Sequence, residues 1–101
     1  MERKIILVTG GSSGIGLATC RYLQQKGCIV YGTSRRVSNG ELMHGIPMLQ
    51  MYLANSESIS NAINWLIEKE GRIDVLVNNA GTGIAGAIED TTTEEIQKLF
   101  N

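Results

Sequence analysis

Eight consecutive residues with few large side chains, TGGSSGIG at positions 9–16, directly follow the apolar run IILV. The β-branched run 5–9 predicts a strand, and the glycines behind it predict a tight turn. Residues at helical spacing come next and predict a helix that Gly27 ends as a C-cap: Ile15, Ala18, Thr19, Tyr22 and Leu23. A strand joined to a helix by so short a turn favours folds in which strands and helices alternate.

Three further strands are predicted downstream, at 28–33, 48–53 and 74–78. The polar segment 34–47 contains two glycines and the single proline of the chain, and it predicts a connecting loop. Strands that alternate with helices are joined by crossovers, so they pair in parallel. The predicted fold class is α/β: a Rossmann-type doubly wound parallel sheet in the strand order 3-2-1-4, truncated before the fifth strand.

A second helix is predicted from the N-cap Asn55 to a point just before Gly71. Its apolar stripe comprises Ile59, Ala62, Ile63, Leu66 and Ile67. A Gly- and Ala-rich loop follows the fourth strand as far as Ala87. Thr92 and Glu95 then have the spacing of a capping box, which predicts the start of a third helix.

Composition excludes several classes of function. Nine Lys and Arg are scattered among ten Asp and Glu, which argues against a nucleic-acid partner. The apolar stretches are too short for a secretory signal or a membrane span, so we expect a cytoplasmic protein that binds no membrane. Cys20, Cys28 and His44 are too few to form a zinc site, and the two thiols are interpreted as packing residues.

The glycine-rich turn is a candidate anion site, because it lies where a parallel strand meets the N-terminus of the following helix. Gly10 permits the tight turn, Gly14 leaves room for a pyrophosphate, and Gly16 allows close packing of helix and strand. Ser12 and Ser13 add hydroxyl donors. Taken alone, such a turn is also compatible with a flexible connection that binds nothing.

Two motifs make the chain resemble the short-chain dehydrogenases and reductases of the classical type. Thr9, Gly10, Gly14, Ile15 and Gly16 match the family's T-G-x-x-x-G-I-G cofactor motif, and residues 78–81 match its N-N-A-G motif. The resemblance covers residues 4–101 and identifies 1–101 as a partial NAD(P)-binding Rossmann domain. It implies that the first motif holds the pyrophosphate and that the second lines the adenosine ribose with small residues.

In the N-N-A-G motif, the predicted cofactor-binding residues are Asn79, Ala80 and Gly81. The motif also fits a tight strand-ending turn that contacts no ligand.

The predicted cofactor is NADP rather than NAD. Arg35 lies 19 positions after Gly16, where an arginine accommodates the 2'-phosphate and a carboxylate favours NAD. Arg36 is the second candidate, and a solvated arginine pair is the alternative interpretation.

The chain departs from the family near the end of the third strand, where Tyr52 replaces a common Asp. Tyr52 is interpreted as core or pocket wall, and Leu53 beside it is a predicted cofactor-binding residue.

The resemblance implies hydride transfer between NADP(H) and a small-molecule carbonyl or alcohol, by a complete enzyme that is a homo-oligomer. The family's catalytic Asn, Ser and Tyr-x-x-x-Lys are not found, so no catalytic residue is assigned and the 101-residue chain alone is expected to be inactive. Tyr22 and Lys26 have the Tyr-x-x-x-Lys spacing but are interpreted as a core residue and a helix-end cation. The extended relatives that act on nucleotide sugars usually have a shorter glycine spacing, so the spacing in this sequence argues against that group.

Two other functions stay open: a non-catalytic dinucleotide-binding module and a strand-pairing interaction module. The second depends on the fourth strand, which the order 3-2-1-4 leaves as an unpaired edge with Val75, Leu76 and Val77 buried on both faces of the complete fold. We expect the isolated chain to be marginally stable, prone to associate, and a weak binder of NADP if it binds at all.

Overall fold

The computed structural model describes residues 3–79 and the strand at 87–89. Two helices and six strands occupy these residues. In chain order they are β1 (Ile5–Val8), α1 (Gly14–Gln25), β2 (Ile29–Ser34), β3 (Leu42–Met43), β4 (Ile46–Gln50), α2 (Ser56–Glu70), β5 (Val75–Val77) and β6 (Ala87–Glu89). The capping-box residues Thr92 and Glu95 lie outside the described residues.

The strands form one sheet in the order β3-β4-β2-β1-β5-β6. Its centre, β4-β2-β1-β5, is parallel throughout, with Leu7 of β1 opposite both Tyr31 and Leu76. These four are the strands predicted from the sequence, in the predicted order, and they confirm the doubly wound α/β fold. β1 lies at the centre and is buried along its whole length, as expected for a strand covered on both faces.

Alternate residues of β1 enter two separate cores, one on each face of the sheet. Ile5 and Leu7 pack with the apolar residues of α2, whereas Ile6 and Val8 pack beside α1. The two helices therefore cover opposite faces, and the turn from β1 to α1 is held at the carboxyl edge between them. Within the described residues, neither helix is long and apolar enough to cross a membrane.

The second helix forms as the sequence predicts. Asn55 caps it, since the Asn55 side chain accepts a hydrogen bond of 3.0 Å from the Ser58 N–H. Gly71 ends it in the left-handed region at a φ of 88° and donates to the Ile67 carbonyl. The predicted stripe faces the core, with Ile59, Ala62, Ile63 and Leu66 buried and Ile67 partly buried.

The face that the first helix packs against the sheet matches the predicted stripe only in part, at Leu23. Its buried residues are Gly16 and Cys20, whereas Ile15 is 76% exposed and Tyr22 is 59% exposed. The interpretation of Tyr22 as a core residue is therefore wrong. The helix packs through the small residues Gly16 and Cys20, with Leu17 and Leu23 partly buried against the same core, whereas Ile15 and Tyr22 lie on its outer side. Gly27, predicted as the C-cap, follows the C-cap residue Lys26 at a φ of 92°.

The predicted loop 34–47 contains a hairpin. Leu42 of β3 pairs with Pro47, and β4 begins at Ile46, two residues earlier than predicted. His44 and Gly45 form its turn at φ values of 53° and 81°, the positive values that two-residue hairpin turns require. The prediction fails here because β3 has only two residues and His is an unusual choice for such a turn.

The expected free edge at the fourth parallel strand is also corrected. β6 pairs antiparallel with β5, with Leu76 opposite Ile88. A parallel sheet commonly ends in such an antiparallel strand. The prediction that β5 is an unpaired edge is wrong, and the strand-pairing module loses the feature on which it depended. Leu76 is buried, and its neighbours Val75 and Val77 are partly buried.

Candidate functional site

The turn between β1 and α1 lies at the carboxyl edge of the sheet and is tied to the ends of both neighbouring strands. The Gly10 N–H donates a hydrogen bond of 2.9 Å to the Thr33 hydroxyl at the end of β2. On the other side, the hydroxyl of the buried Thr9 accepts one of 2.9 Å from the Asn79 N–H. It also lies 3.2 Å from the Asn78 Oδ1 atom. The motifs at 9–16 and 78–81 are thus in direct contact through Thr9.

Close packing explains two of the glycines in the turn. A methyl group on Gly16 would collide with the Gly10 carbonyl oxygen and come within 2.8 Å of the Asn79 side-chain nitrogen. One on Gly11 would lie 2.8 Å from the Gly32 Cα atom and 2.9 Å from the Cys20 sulfur. The helix, the turn and β2 therefore approach at distances that only glycine permits. The sequence reasoning anticipated this for Gly16 and missed it for Gly11.

Gly14, in contrast, faces open space. Its φ is 58°, and a methyl group built on it meets no atom within 4 Å. Ser13 is the N-cap residue, and its carbonyl accepts the helical hydrogen bond of the Leu17 N–H at 3.2 Å. Within residues 3–79 the Ser13 hydroxyl does not cap the helix, and the first turn holds no acidic residue. A helix start of this kind, with free N–H groups and no side chain in the way, suits an anion.

A cavity of about 220 Å³ opens beside this turn. It is lined by Gly10, Ser12, Thr33, Ser34, Arg35, Arg36 and Met51. The carboxyl ends of β1, β2 and β4 contribute all of them, which is the expected position of a ligand site in an open parallel sheet. The described lining residues combine hydroxyl groups and backbone N–H groups with two cationic side chains, and none of these residues carries a carboxylate.

Arg35 and Arg36 bring positive charge to this cavity. Both are exposed, and the backbone around them is anchored: the Arg35 carbonyl accepts from Gln50 Nε2 at 3.4 Å, and the Arg36 N–H donates to Ser34 Oγ at 3.4 Å. Among the residues that the structure describes, neither guanidinium forms an ion pair with a carboxylate. The electrostatic balance of the cavity therefore favours an anionic ligand.

A second cavity, of about 330 Å³, is lined by Arg35, Met51, Tyr52 and Leu53. It shares Arg35 and Met51 with the first cavity. Tyr52 is 47% exposed, and the Arg35 Cζ atom lies 5.7 Å from the centre of its ring. Of the two predicted roles for Tyr52, the structure therefore selects pocket wall over core. The chain thus offers a polar cavity and a more apolar one, joined at Arg35.

The predicted site residues divide into three groups. Gly10, Ser12, Arg35 and Arg36 line the first cavity, and Leu53 lines the second. Four others belong to the adjoining helix start: Ser13, Gly14, Ile15 and Gly16. Asn79 contacts the turn through Thr9, whereas Ala80 and Gly81 lie outside the described residues.

Sequence reasoning missed Thr33, Ser34 and Met51 as lining residues. Each stands at or just beyond the carboxyl end of a strand, a position that makes it a candidate but does not show whether its side chain points into the site.

The described residues show no catalytic group. Tyr22 and Lys26 pair with each other on the outside of α1, with the lysine nitrogen 5.4 Å from the ring centre, and neither lines the two cavities. Cys20 is buried, and burial raises the pKa of its thiol to about 11, which keeps it protonated and unreactive. In the same part of the chain, no three His, Cys, Asp or Glu side chains are grouped to hold a metal ion.

Comparison with known proteins agrees with this arrangement. Residues 4–101 match the family described as short chain dehydrogenase. A 3-ketodihydrosphingosine reductase of Bacteroides thetaiotaomicron is 46% identical over the whole chain, which spans 37% of that enzyme.

Two solved structures share the fold. A short chain dehydrogenase from Bacillus anthracis superposes with a TM-score of 0.66 at 35% identity, over 77% of this chain and 35% of its own. A variant of the protein ElxO with NADPH bound superposes with a TM-score of 0.70 at 26% identity, over 98% of this chain and 47% of its own. The chain thus spans less than half the length of each of these proteins.

Proposed function

The chain belongs to the short-chain dehydrogenase family, and we propose that it is the cofactor-binding part of an NADP-dependent oxidoreductase. The observation that carries this proposal is the cavity at the carboxyl edge, where the glycine turn, the helix start and two arginines meet. The cofactor, when bound, supplies or accepts a hydride, and the substrate is a small-molecule carbonyl or alcohol. The residues described above bind and orient that cofactor.

The pyrophosphate is assigned to the turn at 10–16. Gly14 leaves its backbone open to a ligand, and the first N–H groups of α1 carry the partial positive charge of the helix. Ser12 lines the cavity and Ser13 has a hydroxyl that the helix does not use for capping, so both are proposed donors to phosphate oxygens. Ile15 and Gly16 shape the helix side of the same site. The fit of a pyrophosphate at this turn is supported by the open space at Gly14, which the side chain of any other residue would fill.

The adenosine end of the cofactor is assigned to the second cavity and its junction with the first. Leu53 and Tyr52 supply apolar walls, while Asn79, Ala80 and Gly81 are proposed to border the ribose. Arg35 is the proposed ligand of the 2'-phosphate, with Arg36 beside it. Both guanidinium groups are exposed without a carboxylate partner among the described residues, which supports a preference for NADP over NAD.

Titration of the protein with NADPH and NADH tests the cofactor assignment. We expect tighter binding of NADPH, and we expect Arg35→Ser to weaken NADPH binding by about 10- to 100-fold while NADH binding changes little. Arg21→Ser is a matched control, because Arg21 is an exposed arginine of α1 that lines neither cavity. Equal affinity for the two cofactors in the unaltered protein would contradict the assignment to NADP.

The catalytic groups are proposed to lie outside residues 1–101. The chain spans 37% of the Bacteroides reductase, and its one Tyr-x-x-x-Lys pair, Tyr22 and Lys26, lines neither cavity. Intact-mass measurement of the natural protein, or its coding sequence beyond Asn101, tests this. If the protein ends there and still binds NADPH, a non-catalytic dinucleotide-binding module replaces the enzyme as the proposed function.

The substrate is proposed only as a class. The 46% identical relative is named as a reductase of a 3-keto compound, which makes 3-ketodihydrosphingosine the first carbonyl to assay with the natural protein and NADPH. Oxidation of NADPH that requires the ketone would support a reductase. Turnover of simple alcohols in its place would support a dehydrogenase on the same cofactor site.

A further inference from the structure

Arg35 stands where the two cavities of the site meet, and the ring of Tyr52 lies against its guanidinium group. We propose that Tyr52 positions Arg35 for a 2'-phosphate and so contributes to the choice between NADP and NAD. The inference rests on the proposed function, because it assumes that an adenine nucleotide binds in these cavities.

The geometry favours a role for the Tyr52 ring in positioning the Arg35 guanidinium. The Arg35 Cζ atom is 5.7 Å from the centre of the Tyr52 ring, within the range of cation–π attraction. An arginine at the edge of an open cavity otherwise samples many rotamers, and ordering it costs conformational entropy when the ligand binds. With no carboxylate to hold Arg35 among the described residues, the ring is the group that restricts the side chain. It does so without neutralising the charge that a phosphate needs.

The backbone that carries the ring is held in place by hydrogen bonds. The Tyr52 N–H donates a hydrogen bond of 2.9 Å to Ser58 Oγ, and the Ser58 hydroxyl donates one of 3.0 Å back to the Tyr52 carbonyl. The Asn55 N–H also donates to that carbonyl at 2.8 Å. Tyr52 is therefore fixed to the start of α2. Because these bonds use the main chain, a change of the Tyr52 side chain leaves them intact.

A different role for the ring makes a different prediction. Tyr52 also borders the second cavity with Met51 and Leu53, so it is in place to contact an adenine directly. Such a contact would contribute equally to every adenine nucleotide, whether or not it carries a 2'-phosphate. Positioning of Arg35 contributes only to nucleotides that carry one.

Calorimetric titration with adenosine 2'-monophosphate and adenosine 5'-monophosphate separates these roles. We expect Tyr52→Leu to weaken binding of the 2'-phosphate by about two- to fivefold, the range of an exposed cation–π contact, and to leave the 5'-phosphate unchanged. Tyr52→Phe keeps the ring and should retain the affinity of the unaltered protein. Tyr22→Leu is the matched control, because it removes the similar Tyr22–Lys26 contact, and neither of those residues lines the two cavities.

A double substitution completes the test. In an Arg35→Ala background, Tyr52→Leu should produce no further loss of 2'-phosphate binding, because the group that the ring positions is gone. Equal losses for both nucleotides, or a loss that persists without Arg35, would overturn the inference in favour of an adenine contact. If the unaltered protein binds neither nucleotide, the proposed function fails and the inference with it. If both bind and Tyr52→Leu changes nothing, the inference alone fails.

Discussion

The charged side chains near the two ends of the central strand β1 differ in whether they form an ion pair among the described residues. At the amino end, Asp74 Oδ2 accepts a hydrogen bond of 2.7 Å from the Ile5 N–H, and Arg72 Nε donates to the same oxygen at 3.0 Å. At the carboxyl end, Arg35 and Arg36 line a cavity and face no carboxylate among the described residues. At the amino end Asp74 is paired with Arg72, whereas at the carboxyl end two arginines have no carboxylate partner among the described residues.

This difference separates stability from binding within one sheet. Burial opposes the charged form of Asp74, but the hydrogen bond from Ile5 and the neighbouring Arg72 together lower the pKa of its carboxyl. The charge therefore favours the folded state. The charges at the carboxyl end contribute little to the fold, because exposed cations that form no ion pair are well solvated, and neither arginine forms one among the described residues. We infer that the amino end supports the fold and that the carboxyl end is kept for a ligand.

The largest effect is expected from adding a methyl group at Gly16, where α1 packs closely against the glycine-rich turn. Gly16→Ala places a methyl group against the Gly10 carbonyl and the Asn79 side chain, and backbone atoms cannot move aside easily. We expect the free energy of unfolding to fall by about 3 kcal/mol or more, measured by urea denaturation. Nucleotide binding should be lost as well, since the turn must shift.

Gly14→Ala is the matched control for this prediction. Space around Gly14 is open, so only its φ of 58° opposes a side chain, at about 1 kcal/mol. The Gly14 variant should therefore fold more stably than the Gly16 variant yet still bind nucleotide weakly, because the methyl group would occupy the proposed pyrophosphate position. Equal stability of the two would show that close packing is not what requires Gly16.

The protein should lose stability when the Asp74 carboxylate at the amino end of the sheet is removed. Asp74→Ala leaves the Ile5 N–H without its acceptor, and we expect a loss of about 2 kcal/mol in the free energy of unfolding. Asp74→Asn keeps an acceptor and should lose less. Because the pKa of Asp74 is lowered in the folded state, its stabilisation is present above the unfolded value of 3.8 and is lost as pH falls through the folded pKa. An acid titration of stability that is the same in the unaltered and Asn proteins would contradict this.

Tyr31 gives a prediction at the opposite end of the pH scale. Its hydroxyl donates to the Glu70 carboxylate at 2.6 Å, and burial, followed by this contact, raises the pKa of Tyr31 above its usual 10.0. A raised pKa contributes stability that is complete below pH 10 and lost as pH rises from there through the folded pKa. Tyr31→Phe should cost about 1 kcal/mol at neutral pH and remove this alkaline loss. Thermal unfolding across pH 8 to about 11 measures both. An unchanged alkaline profile would contradict the assignment to Tyr31.

The sequence predicts the fold well where large apolar residues mark the core. The run at 5–8 is buried throughout, and α2 begins after Asn55 and ends at Gly71 as expected. It fails in part for α1, because the fully buried residues of that helix are Gly16 and Cys20, whose small side chains give a weak hydrophobic signal, while Leu17 and Leu23 are only partly buried. It also fails for the hairpin, whose turn at His44 departs from common turn sequences.

The candidate site was predictable for a topological reason. Parallel strands bring their carboxyl ends to one edge, so Gly10, Ser12 and the two arginines at the end of β2 had to converge there. Thr33 and Met51 were missed because their contribution depends on which way each side chain points at a strand end. That direction follows from the register between strands, which no local pattern reveals.

The smallest effect, and the sharpest test of the contrast between the two ends, comes from removing one arginine from each. Arg72→Ala should lower the free energy of unfolding by about 1 kcal/mol, because it removes the partner of Asp74. Arg35→Ala should change it by less than about 0.5 kcal/mol, as expected for an exposed side chain that forms no ion pair within residues 3–79. Urea denaturation at low and high salt measures both, and salt should weaken only the contribution of Arg72. If Arg35→Ala destabilises the protein as much as Arg72→Ala does, then Arg35 belongs to the fold, and its availability to a phosphate is no longer supported.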